Sequence, residues 1–203
     1  HDALPISGSA DVLEALGIEI DLGPEGVATC IDQAGIGFMF APRYIPQMKA
    51  IKDVRQSLKL RTVFNILGPM LNPARAKYGL IGVFSPSLMQ TMGDALRSLS
   101  IKKALIVHSL GLDEMTPMGP AQVLEVTPDG TSAYTIDPKD FGIPRCEVKD
   151  IKGGDKEINA KMLLDAFSGQ RSAVADALNL NAGFALAACG VTTDPHEGVA
   201  LAT

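Results

Sequence analysis

Two short apolar runs with a helix-length stretch between them constrain this chain more than any other feature. Residues 79–84 (GLIGVF) and 104–108 (ALIVH) each have the length and composition of a buried strand, and residues 87–99 between them read as helix. Strand, helix and strand in succession is the α/β signature, and it predicts a largely parallel sheet covered by helices. Upstream, residues 36–40 (IGFMF), closed by Ala41-Pro42, are a further candidate for a buried strand. Residues 9–17 read as a helix, with Ser9 as cap, Asp11 in the first turn and Gly17 as the stop. A second helix is expected to start after Pro24 and run to about Ala34. A third spans residues 46–58, with Met48, Ile51, Val54 and Leu58 on one side and Lys49, Lys52, Arg55 and Lys59 on another. The stretch 61–73 begins helix-like and breaks at Gly68-Pro69.

The pattern changes from Gln122. Residues 122–126 alternate, Asp129-Gly130 makes a turn and residues 132–136 return, which predicts a β-hairpin. Residues 138–154 are loop-rich. Residues 159–167 and 174–189 read as helices, the second so apolar that full burial is expected.

At 203 residues the chain can hold one good-sized domain. Its net charge of −5 argues against a nucleic-acid surface, and the absence of Trp against a base-stacking platform. An anionic substrate would therefore have to be held by local groups: a helix start, a metal or a single Arg. The cysteines, Cys30, Cys146 and Cys189, are odd in number and far apart, as expected of reduced thiols inside a cell. No apolar run approaches the ~18 residues of a membrane span.

Few residues stand out chemically. Asp113 and Glu114 follow a strand and a Gly, at the kind of strand end where ligands of α/β sheets gather, and two adjacent carboxylates suit Mg²⁺. Taken alone they read first as solvated loop acids, which are common. Arg55 can fork onto a carboxylate or be one more surface cation. Gly68-Pro69 can wall a flat ligand or merely stop a helix. Gly8-Ser9 can hold a phosphate at a helix start or only cap it. His108 and His196 lack a partner acid, and His108 reads as structural.

Together, Gly8-Ser9-Ala10-Asp11-Val12-Leu13-Glu14-Ala15-Leu16-Gly17, Gly35-Ile36-Gly37-Phe38-Met39-Phe40-Ala41-Pro42, Arg61-Thr62-Val63-Phe64-Asn65-Ile66-Leu67-Gly68-Pro69 with Asn72-Pro73, and Gly111-Leu112-Asp113-Glu114 resemble the anthranilate phosphoribosyltransferase family in order and spacing. The likeness continues through Gly153-Gly154-Asp155, Asn159-Ala160 and Leu180-Asn181-Ala182, and two stretches, 111–115 and 141–146, are similar to its plant-type branch. The resemblance implies the large α/β domain of the nucleoside phosphorylase/phosphoribosyltransferase-like fold, with a mainly parallel central sheet flanked by helices and the helical domain mostly missing. It implies Mg²⁺-dependent transfer of a phosphoribosyl group from phosphoribosyl pyrophosphate (PRPP) to anthranilate, in tryptophan biosynthesis. Ser9 would help hold PRPP, Arg55 would meet the anthranilate carboxylate, Gly68 and Pro69 would line the anthranilate channel, and Asp113 and Glu114 would bind the metal. A homodimer is implied for the full-length protein, with neither nucleic acid nor membrane as partner, in the cytoplasm, or in the plastid stroma for a photosynthetic eukaryote.

The family pattern is broken in two places. Ile45 stands where the family has a histidine lining the anthranilate channel; Ile45→His in a full-length protein is expected to keep or improve activity. The family's Gly-rich phosphate loop would lie before Gly8, and the similarity begins abruptly there. Residues 1–6 are read as a non-native leader and residues 7–203 as an incomplete phosphoribosyltransferase domain, expected to be inactive by itself. Two other readings share parts of the pattern: a pyrimidine nucleoside phosphorylase-like enzyme, which the Arg55, Gly68-Pro69 and Asp113-Glu114 set disfavours, and a non-enzymatic nucleic-acid-binding paralogue, which the net charge disfavours.

Overall fold

The computed structural model describes residues 8–45, 68 and 70–203. The expected helix at 46–58, Arg55 within it, residues 61–67 and Pro69 lie outside the described residues. The chain divides into two compact units, His1–Gly68 with Gly153–Met162, and Pro69–Lys152 with Leu163–Thr203.

The first unit contains α1 (Ser9–Ala15), α2 (Pro24–Ala34) and the short α3 (Ala41–Tyr44). Ser9 is the first helical residue of α1 rather than its cap. Gly8 takes the cap position in an extended conformation, and its N–H donates to the Asp11 carboxylate at 2.8 Å, so the helix starts one residue earlier than expected. Helix α2 ends where expected and starts at Pro24 itself rather than after it, because Pro at the first helical position opens it after Gly23 and Gly35 closes it in the left-handed region. Arg43 of α3 pairs with Asp21 at 3.2 Å.

The strand expected at 36–40 does not form. The segment is in no ladder, and Ile36 is 75% exposed. An apolar run becomes a strand only when a neighbouring strand takes up its N–H and C=O groups, and none does so here among the described residues.

The second unit is built on four strands: β1 (Tyr78–Gly82), β2 (Lys103–His108), β3 (Ala121–Thr127) and β4 (Gly130–Ile136). They lie side by side in sequence order. β1 and β2 are parallel, joined by a crossover through α4 (Met89–Ser98), as the sequence pattern predicts. β2–β3 and β3–β4 are antiparallel. The described sheet is therefore mixed rather than mainly parallel, because the hairpin seen at 122–136 supplies half of its strands. The remaining helices are α5 (Val148–Ile151), α6 (Lys156–Phe167), α7 (Ala173–Ala188) and α8 (Pro195–Ala202).

Alternate residues of β2 and β3 feed two layers. On one face Leu105, Val107, Ala121 and Val123 pack with Met115, Ile143, Leu180 and Phe184 of α7, and Val199 of α8. On the other, Gly93 of α4 lies against Leu124 and Val126 of β3, and its neighbours Met89, Met92 and Leu96 are buried. Burial of each such side chain contributes about 1.5–3 kcal/mol. Helix α7 is not buried all round, as its composition suggested: Leu180, Gly183, Phe184 and Ala188 face the core, while Ala182 and Leu178 remain exposed. Small Ala and Gly side chains leave little apolar area to hide, so one covered face suffices.

The break expected at Gly68-Pro69 falls largely outside the described residues. Gly68 and Met70 are both helical, and the chain turns at Asn72, whose Oδ1 accepts the Ala74 N–H at 2.9 Å. This side chain–backbone bond offers the chain an alternative to further helix just before Pro73.

Candidate functional site

The loop after β2 carries the acid pair, and its shape follows from a few contacts. Ser109 and Leu112 exchange backbone hydrogen bonds of 3.1 and 2.8 Å across Leu110-Gly111. Both central residues have positive φ, 50° at Leu110 and 86° at Gly111, as in the mirror-image turns of tight hairpins. Gly adopts this conformation freely, whereas Leu is strained by it, so the surroundings must hold the turn.

His108 is part of that support. Its Nδ1 lies 2.8 Å from the Val83 carbonyl oxygen. A carbonyl can only accept, so Nδ1 carries the proton and donates. Nε2 is then the acceptor, and the Gly111 N–H donates to it at 3.3 Å. The buried imidazole is satisfied on both sides in its neutral form, which matches the structural role read from the sequence. Ser109, also buried, donates its hydroxyl to the Pro120 carbonyl at 3.1 Å.

Asp113 and Glu114 follow this turn. The Asp113 backbone carbonyl lies directly against Gly82 at the end of β1, so closely that a Cβ at position 82 would overlap it. Immediately after the pair, Met115 has no exposure at all and joins the core between sheet and α7. Its backbone is held by the Asn181 amide of α7 through bonds of 3.2 and 2.7 Å. Backbone contacts on both sides thus fix where the two carboxylates emerge, while the acids themselves remain at the surface.

The electrostatics of the pair are those of two like charges on one short segment. Crowding by protein atoms, a hydrogen bond with Asp113 and the Asp113 charge together push the Glu114 carboxyl up from 4.5 to about 7. The remaining solvent exposure tempers the size of this effect but not its direction. Near neutral pH Glu114 is therefore partly protonated, and a divalent cation bound there would favour its ionised form. The donor set fits Mg²⁺: hard carboxylate oxygens, on a segment whose backbone is held on both sides. Among the described residues no group of three or more His, Cys, Asp or Glu could hold a metal, so the pair would supply only part of a coordination shell.

The other expected site residues are less fully placed. Ser9 is exposed on the first turn of α1, and Gly68 is exposed and helical. Ile45, at the family's histidine position, is half-buried and ends α3, its N–H donating to the Ala41 carbonyl at 2.8 Å. His196, which the sequence left without a partner, stacks on Phe141 with ring centroids 4.4 Å apart. Asn181 was missed as a supporting residue. The available signal was a polar amide within an apolar helix, where burial requires hydrogen-bond partners.

A family model for the a/b domain of a glycosyl transferase family matches residues 5–203. Anthranilate phosphoribosyltransferase of Rubrobacter xylanophilus is 48% identical over 198 residues, covering 97% of this chain and 58% of that protein. The Persephonella marina protein of the same name is 46% identical over 197 residues, covering 96% and 58%. Among solved structures, anthranilate phosphoribosyltransferase from Thermus thermophilus superimposes with a TM-score of 0.89 at 42% identity, covering 96% of this chain and 58% of that one. The Saccharomyces cerevisiae enzyme in complex with PRPP and Mg shares the fold, with a TM-score of 0.86 at 24% identity, covering 96% and 57%. The chain thus spans about 58% of the length of the bacterial relatives it matches.

Proposed function

The chain belongs to the glycosyl transferase family characterised by this a/b domain, and from that membership we propose that it serves the Mg²⁺-dependent transfer of a phosphoribosyl group from PRPP to anthranilate. The observation that carries this reading is the Asp113–Glu114 pair, two adjacent carboxylates seated by backbone contacts after β2. The identity of 42–48% to proteins named for that reaction supports it. The bacterial source of these relatives favours a cytoplasmic setting over a plastid.

In this reading Asp113 and Glu114 are the residues that would hold Mg²⁺. Bound there, the metal would neutralise the pyrophosphate leaving group. Glu114, whose carboxyl is pushed up to about 7, would have to be deprotonated to serve as a ligand, so binding would weaken as pH falls below that value. Ser9 offers a hydroxyl on the first turn of α1, at a helix start of the kind that suits a phosphate. Arg55 would pair with the anthranilate carboxylate, and Gly68 with Pro69 would flank the flat ring. The chemistry asks for no nucleophile: the anthranilate amine is the attacking group, and the residues serve to align two substrates. The full-length protein is expected to act as a homodimer.

Loss of anthranilate fluorescence in the presence of PRPP and Mg²⁺, followed in a protein of the relatives' full length, tests the reading. Asp113→Asn with Glu114→Gln is expected to lower kcat/KM at least ~100-fold. Unchanged turnover in that double variant would overturn the assignment.

A further inference from the structure

We propose that Asn181 is a positioning residue for the Asp113–Glu114 pair, acting from α7 through the backbone of Met115. The inference rests on the metal-binding reading of the pair and extends it to a residue 66 positions away in sequence.

The geometry is specific. The Met115 N–H donates to Asn181 Oδ1 at 3.2 Å, and Asn181 Nδ2 donates to the Met115 carbonyl at 2.7 Å. Nδ2 also donates to the Ala177 carbonyl one turn earlier, at 2.8 Å. These three partners settle which end of the amide is which, since an N–H cannot face an N–H and a carbonyl cannot face a carbonyl. An amide locked to its own helix therefore grips both backbone groups of a single residue, the one directly after Glu114. The Met115 side chain is wholly buried in the cluster that also holds Leu180, so the gripped residue cannot move outward. With the Asp113 carbonyl seated on Gly82, the pair is held at both ends. Ligands so fixed hold a cation without first having to be ordered, whereas a loose segment would lose part of its binding energy to ordering.

A purely structural asparagine would satisfy buried backbone groups and affect stability alone. The two roles separate in a titration with Mn²⁺ alone, read by electron paramagnetic resonance on the full chain, together with hydrogen exchange at the Met115 amide. Asn181→Ala is expected to weaken Mn²⁺ binding about tenfold and to speed Met115 exchange at least tenfold. Leu96→Val, a core change on the opposite face of the sheet, is expected to leave Mn²⁺ affinity within about twofold. Should Asn181→Ala fail to fold, Asn181→Ser, whose hydroxyl cannot span both groups, is judged by the same criteria. If Asp113→Asn abolishes Mn²⁺ binding while the Asn181 variant binds within about twofold of the unsubstituted chain, positioning by Asn181 is refuted and the metal reading stands. Equal weakening in Leu96→Val also refutes it. If the unsubstituted chain binds no Mn²⁺, or Asp113→Asn has no effect, the metal reading fails and this inference falls with it.

Discussion

Two asparagines use the same hydrogen-bond pattern over very different sequence distances. Asn159, near the start of α6, accepts the Gly154 N–H at 2.8 Å and donates back to the Gly154 carbonyl at 3.1 Å. Asn181 does the same for Met115. The first clamp spans five residues and shapes the Gly153-Gly154 turn into its own helix. The second spans 66 and ties a loop after β2 to a helix on the sheet's face. A local clamp needs only its own segment to fold. A distant one exists only once sheet and helix have packed, so its loss should affect what the packed structure presents, namely the acid pair.

The largest expected effect tests the seat rather than either clamp. Gly82→Ala places a Cβ into the Asp113 carbonyl, and should lower stability by about 3 kcal/mol in chemical denaturation and remove measurable Mn²⁺ binding. A loss below ~1 kcal/mol would show that the segment is not held there. Asn181→Ala comes next, at about 2 kcal/mol, because it leaves two groups of a buried residue without partners. Asn159→Ala should cost about 1 kcal/mol or less and speed exchange of the Gly154 amide without altering Mn²⁺ binding. If the two asparagine variants shift metal affinity equally, the contrast between local and distant clamps collapses.

The smallest effect has the opposite sign. The folded chain binds the Glu114 proton more tightly than the unfolded chain, so this group's contribution to stability falls as pH rises from 4.5 towards about 7. Glu114→Gln removes that dependence. It should leave stability unchanged below pH 4.5 and raise it by about 1 kcal/mol above pH 7, once solvent screening is allowed for. Thermal unfolding of both proteins across pH 4–8 checks the sign, and a flat difference between them would contradict it.

Much of the fold was legible because its signals are local. Helix α2 lies where Pro24 and Gly35 place it, and the hairpin of β3 and β4 follows from alternation around Asp129-Gly130. The acid pair was visible as two adjacent carboxylates at a strand end, and the structure places it after the turn that follows β2. Misreadings arose where a partner decided the outcome. Residues 36–40 have a strand's composition but no strand beside them. Ser9 yields the cap position because Asp11 binds the Gly8 N–H. Helix α7 reads as buried all round, yet only one side of it meets the sheet.

Local pattern was enough to specify the strand–helix–strand unit, the hairpin and the two carboxylates, because periodicity, turn chemistry and charge are carried by neighbouring residues. Packing in three dimensions was needed for the rest: Gly82 receives the Asp113 carbonyl, His108 braces a turn with a strained Leu110, and Asn181 grips the residue after the acids. Those contacts join groups that the chain itself does not bring side by side. Hydrogen bonds and close approach fall off within a few ångströms, so no local pattern can announce which distant groups folding will bring within reach.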